Sequence, residues 1–360
     1  MSALLAVILS LFGGQGPNVR PSLTPAAPRP AKSTLTLRQM VGQRMVFAYD
    51  GLQPPPALRA RIRRGEAAGV IVFARNVSSP AQLRATMRDL QAIPRPRGLR
   101  APLIVMTDQE RGPVRRIPGP PAVSTAQHGG MNAARADGLA TARTLRGAGV
   151  NVDLAPVADL GRPGTALRRE RRTHGRSPRT VSDGVVAFTA GLRAGGVAAT
   201  AKHFPGLGAS RVNTDVASAR INLPLATLRA VDEAPFQSLI DADIELVMLA
   251  TAVYPAVAQR PAALSSRWIK RELRGRLGFR GVTMTDDLGT PAVAGYGSFA
   301  RRALIAARAG VDIPLFVGSY RSGVVVADGL VAAVRRGQLR RAALKAAARR
   351  VLTLRKGLSR

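Results

Sequence analysis

Lys202 and His203 stand side by side at the end of an apolar run, VAATA over 197–201, that reads as a buried strand. The turn residues Phe204-Pro205-Gly206-Leu207-Gly208 follow and are expected to break it, and a polar loop then ends in Asn213-Thr214-Asp215. A compact ammonium, an imidazole and a carboxylate where a strand opens into a loop can hold hydroxyl groups and move protons. Of 54 cationic side chains only five are lysines, Lys32, Lys202, Lys270, Lys345 and Lys356. Where nearly every cation is Arg, a retained Lys points to a position that needs a point charge rather than a planar fork.

Two further carboxylate clusters end apolar runs: Asp108-Gln109-Glu110 after PLIVMT, and Asp286-Asp287 after GVTMT. Carboxylates at a strand end can simply cap the next helix. As chemistry, a pair with one nucleophile and one acid/base suits glycoside cleavage. A metal centre would want histidines and carboxylates converging. The only histidines are His128, His174 and His203, there is no cysteine, and no glycine-rich phosphate loop is present. Neither a metal nor a nucleotide cofactor is expected. His128 and His174 read as solvated loop residues, and Trp268 as a packed residue of an outer helix.

These residues need strands whose ends converge. Short apolar runs recur at 45–48, 69–73, 102–107, 150–154, 197–201, 245–249, 281–285 and 311–316, most of them separated by helical patterns, and a helical region follows over 321–358. Eight such units predict an α/β fold of the (β/α)8 TIM-barrel type, as a single domain over 34–360. In such a barrel the active site lies at the C-terminal ends of the strands, where the three polar clusters would meet.

Ahead of the barrel, 1–12 contains the apolar run ALLAVILSLF, of signal-peptide or membrane-anchor type, and 13–33 is a Pro-rich linker. Export or anchoring at the cell envelope is the expectation, with the cytoplasm as the alternative. The net charge of +33 reads first as compositional drift toward Arg and second as attraction to an anionic cell wall or membrane. With 4% aromatics and arginines scattered throughout, specific nucleic-acid recognition is not expected.

The segment KHFPGLG over 202–208 resembles the signature of glycoside hydrolase family 3, particularly its single-barrel β-N-acetylhexosaminidases. GQRMVFAYDG, GVIVFARN, PLIVMTDQE, GVNVDLAPVADL, LGFRGVTMTDDL and ARAGVDIPLFVGS resemble segments of the same family in the same order. The resemblance implies a covalent nucleophile at Asp286. It also implies a terminal sugar gripped by Asp108, Arg116, Lys202 and His203, with Arg172 of RRTHGR as the match for a further Arg after the fourth strand. The implied reaction is removal of a terminal β-linked N-acetylglucosamine with retention, by a protein expected to be a monomer with a glycan as its partner.

The chain departs from the pattern at Leu207, where the hexosaminidase branch carries His, and at Arg111-Gly112-Pro113 after DQE. It departs most at Asn213-Thr214-Asp215, which replaces an Asp-Ser-His loop whose His is the acid/base. Two readings stay open: Asp215 is itself the acid/base, or the barrel binds glycans without turning them over. Another sugar specificity within the family, or a phosphorylase, is the enzymatic alternative.

Overall fold

A computed structural model of the chain describes residues 35–111, 113–119 and 130–358. The apolar segment, the linker and His128 lie outside the described residues.

Seven parallel strands form one sheet: β1 (Val46–Phe47), β2 (Gly69–Ile71), β3 (Ile104–Thr107), β4 (Val152–Asp153), β5 (Ala198–Phe204), β6 (Leu246–Leu249) and β7 (Val282–Thr285). Their order in the sheet follows their order in the chain, as successive strand–helix units require. All are buried along their length because both faces are covered. Successive residues alternate between the faces. Ile104, Met106, Leu246, Met248, Val282 and Met284 point into one inner cluster, while Leu103, Val105, Val247 and Leu249 join the larger cluster beneath the helices. The inner cluster draws on all seven strands and also includes Ile313, Leu315 and Val351, so the sheet is curled around it.

The eighth expected strand, 311–316, makes one ladder bridge, Met284 to Ile313. It is further tied to β7 by Thr285 N donating to Ile313 O (3.1 Å) and Leu315 N donating to Thr285 Oγ1 (2.9 Å). On its other side the buried Arg44, two residues before β1, donates to Val311 O and Asp312 O, both at 2.8 Å. A side chain, rather than a backbone ladder, thus spans from the β1 end of the sheet to this segment.

Polar side chains cap five of the helices. Thr36 and Gln39 form a reciprocal capping box, and Ser79, Ser177, Ser298 and Ser319 each accept from the backbone three residues on. The helices Met131–Gly147 and Pro178–Ala194, flanking β4 and β5, cross at glycines. A Cβ on Gly138 would lie 2.1 Å from Phe188 O, and one on Gly191 2.1 Å from Arg135 O. Trp268 is fully buried against Phe204 and Tyr254, as packing predicted. His174 is not solvated: it is 7% exposed and packs edge-on against Phe188 at 5.9 Å, because its loop folds back over the helix that follows.

Candidate active site

The break expected at Phe204 falls later. β5 continues through Lys202 and His203 to Phe204, with a register shift against β6 between Ala201 and Phe204. That irregularity is where the strand leaves regular pairing and presents its two polar residues. Lys202 Nζ lies 2.7 Å from Asp108 Oδ1 and 2.6 Å from Glu110 Oε1, with its side chain 2% exposed. Arg172 grips the same Glu110 through both oxygens, at 2.7 and 2.8 Å. Burial alone would push each group toward its neutral form, but the opposite charges outweigh it. Glu110 is held well below the usual carboxylate range, and Lys202 and Arg172 above their ordinary values. Beneath them Asp153 accepts from Gln109 N at 3.0 Å, and its burial pushes its carboxyl well up.

His203 is oriented from the other side. Asp159 lies 2.7 Å from His203 Nδ1 and accepts from His203 N at 3.1 Å and Leu207 N at 2.5 Å. One buried carboxylate therefore fixes the imidazole and the turn after it. Gly208, whose Cβ would fall 2.2 Å from Leu160 O, lets that turn lie flat on the neighbouring loop.

The tandem aspartates after β7 divide their tasks. Among the described residues Asp286 accepts only from Asp287 N (2.9 Å), and it faces the cavity. Asp287 accepts from Gly289 N (2.8 Å) and Val317 N (3.3 Å), tying its loop to the segment after 311–316. Burial, with Asp286 beside it, pushes the Asp287 carboxyl up to about 6. Asp215 projects from its loop at the cavity rim, its backbone N donating to Asn213 Oδ1 at 2.8 Å. Although part of Asp215 meets solvent, the crowded mouth withdraws water from its carboxyl, and Asp286 opposes its charge, so its pKa is raised.

All seven residues singled out from the sequence, Asp108, Arg116, Arg172, Lys202, His203, Asp215 and Asp286, line one cavity of about 500 Å³. Arg116, which follows the altered residues after DQE, lines the cavity. Gln109 Oε1 accepts from Arg116 N and Ile117 N, the guanidinium lies 5.7 Å from the Phe73 ring, and the buried Nε has no partner among the described residues.

The family model described as the glycosyl hydrolase family 3 N terminal domain matches residues 36–354. The chain belongs to glycosyl hydrolase family 3.

Among relatives, it is 36% identical over 336 residues to an uncharacterized secreted glycosyl hydrolase of Arthroderma benhamiae, covering 90% of this chain and 95% of that one. It is 37% identical to a beta-hexosaminidase of Xanthomonas oryzae pv. oryzae, covering 75% and 82%. Among solved structures, a family 3 beta-N-acetylglucosaminidase of Paenibacillus sp. superposes with a TM-score of 0.84 at 30% identity over 91% of this chain, which spans 64% of that protein's length. A beta-N-acetylhexosaminidase of Beutenbergia cavernae superposes with a TM-score of 0.81 at 31% identity, covering 89% and 99%.

Sequence reasoning about this family 3 chain gave no role to three side chains of the site. Glu110 was visible only as the tail of DQE, and Asp159 only as the last polar residue of GVNVDLAPVADL. Glu170, in an Arg-rich stretch, carried no signal beyond being the one carboxylate among arginines.

Proposed function

We propose that the chain is a retaining β-N-acetylhexosaminidase that releases terminal N-acetylglucosamine from glycans. The observation that carries this reading is one cavity in which Asp286 and Asp215 share a mouth above a floor of paired cations and carboxylates. Asp286, which accepts a backbone N–H from Asp287, attacks the anomeric carbon. Asp215, whose carboxyl is pushed up by desolvation at the mouth and by Asp286, protonates the departing oxygen. A covalent glycosyl-enzyme forms on Asp286, and Asp215, now a base, takes a proton from the water that releases the sugar. Asp108, Arg116, Arg172, Lys202 and His203 hold the sugar hydroxyls by charge-assisted hydrogen bonds.

We read the scaffold as a complete eight-unit barrel, supported by the bonds of 311–316 to β7 on one side and to Arg44 on the other. Export fits the secreted relative and the apolar run at 3–12. Among the described residues no helix is long and apolar enough to cross a membrane. A monomer, attracted to anionic cell-wall polymers by its charge, is the expected form.

A slowly released fluorinated N-acetylglucosaminide tests the nucleophile. Mass spectrometry should find one sugar on the peptide that contains Asp286. A label on another residue, or inversion at the anomeric carbon of the released sugar, would contradict the mechanism.

A further inference from the structure

The loop carrying Asp215 is fastened to the short helix Ala166–Arg169 and the residue after it at three points. Ala166 N donates to Ser210 O (3.0 Å), Arg169 Nη2 to Arg211 O (2.9 Å), and Asn213 Nδ2 to Glu170 Oε1 (3.0 Å). Of the three, only the last joins two side chains, and it continues in both directions. Toward the loop, Asn213 Oδ1 accepts from Asp215 N at 2.8 Å, so the amide that reaches Glu170 also sets the turn beneath Asp215. Toward the pocket floor, Glu170 Oε2 meets Arg172 Nη1 at 3.1 Å, and Arg172 is gripped by Glu110, which meets Lys202.

The chemistry of the pair fixes its direction. An ionised carboxylate only accepts, whereas an Asn amide donates through its nitrogen and accepts through its oxygen. Asn213 can therefore serve Glu170 and Asp215 N together. An Asp at 213 could still accept from Asp215 N but would bring a second carboxylate against Glu170.

We propose that Glu170 is a positioning residue for the reaction. Through Asn213 it latches the loop so that Asp215 stands at the cavity mouth, and through Arg172 it joins that latch to the ion-paired floor that holds the sugar. The inference rests on the reading of Asp215 as the acid/base. It also accounts for Asn213: the residue is there to donate to Glu170, not as a degraded member of a catalytic pair.

The test uses two N-acetylglucosaminides on the full chain, compared by kcat/KM at neutral pH. A 2,4-dinitrophenyl glycoside departs without a proton, whereas the β-1,4-linked disaccharide needs one. Asn213→Asp should lower kcat/KM for the disaccharide by on the order of tenfold or more while leaving the dinitrophenyl glycoside within about twofold, and Glu170→Ala, which also frees Arg172, should lower both substrates but the disaccharide by on the order of tenfold more. The more conservative Glu170→Gln should show the same split to a smaller degree. In the double variant Glu170→Gln/Asn213→Asp the new amide donates to the new carboxylate, and the ratio of the two substrates should return to within about threefold of native. An unchanged ratio in Asn213→Asp, an equal fall for both substrates, or no recovery in the double variant would overturn the latch.

Asp215→Ala separates the two readings. If it shows no split between the substrates, Asp215 is not the acid/base, and the latch falls with it. If it shows the split and the Glu170 and Asn213 variants do not, the latch alone is wrong.

Discussion

At the scale of single residues, Lys202 is the group whose place at the cavity was most legible, because one of only five lysines in an Arg-dominated chain, set at a strand end, marks a need for a compact charge. Lys202→Met should abolish activity and cost about 3–5 kcal/mol in thermal unfolding at pH 7, because it leaves Glu110 and Asp108 short of a buried counter-charge. The pH dependence follows from the same trio. Glu110 titrates below its ordinary 4.5, so its contribution is present above that pH and lost as pH falls beneath it. Lys202 titrates above its ordinary 10.5, so its contribution is present below that pH and lost on raising it. Asp287 works in the opposite sense: its carboxyl rises from 3.8 to about 6, so the fold favours its neutral form and loses stability as pH climbs through that window. Asp287→Asn, which keeps an accepting oxygen for Gly289 N, should flatten the melting temperature between those pH values. A melting profile with the native slope would show that Asp287 titrates normally. Asp159 was not legible and Glu110 only as a member of a strand-end cluster, since each acts on a residue 44 or more positions away and gains meaning only when separate strands lie side by side.

At the scale of elements, seven strands were placed from apolar runs alone, because a sheet covered on both faces leaves near-continuous hydrophobic segments. Their ends were less legible. β5 runs three residues beyond 201, since tertiary pairing with β6 carries the strand through polar residues that its local sequence would exclude. His174 was misread for a similar reason: a polar loop can still be covered by the helix it precedes, here through Phe188. The glycine crossing of the helices Met131–Gly147 and Pro178–Ala194 gave no sequence signal at all. Gly191→Ala places a methyl group against backbone at 2.1 Å and should destabilise the fold by about 1–3 kcal/mol, seen as a lowered melting temperature with the kcat of the folded fraction unchanged. A melting temperature equal to native would mean that the helices can part at no cost.

At the scale of the whole molecule, the charge of +33 and the cavity are separable features. Charge acts at long range through solvent and is screened by salt, while the buried pairs of the cavity floor are screened far less. Retention on an anionic polymer should therefore fall steeply between roughly 50 and 200 mM salt, while turnover of a neutral chromogenic glycoside changes little. Turnover that falls in parallel with retention would tie catalysis to the surface charge. The curled sheet brings residues from 108 to 286 to one rim, and this convergence was legible because each polar cluster ends an apolar strand. The Asp215 loop was legible only as a departure; the bond that joins it to Glu170 through Asn213 links residues that share no local pattern.

The most direct measurement is release of p-nitrophenol from its β-N-acetylglucosaminide by the native chain, Asp286→Ala and Asp215→Ala, with and without azide. The native chain should turn over, and Asp286→Ala should be silent without azide, with any turnover that azide restores giving the inverted α-glycosyl azide. Asp215→Ala should fall by on the order of 10²-fold or more and be partly restored by azide, which attacks the glycosyl-enzyme without needing a base. A silent native chain, or an Asp286→Ala variant that keeps the native rate, would contradict the account.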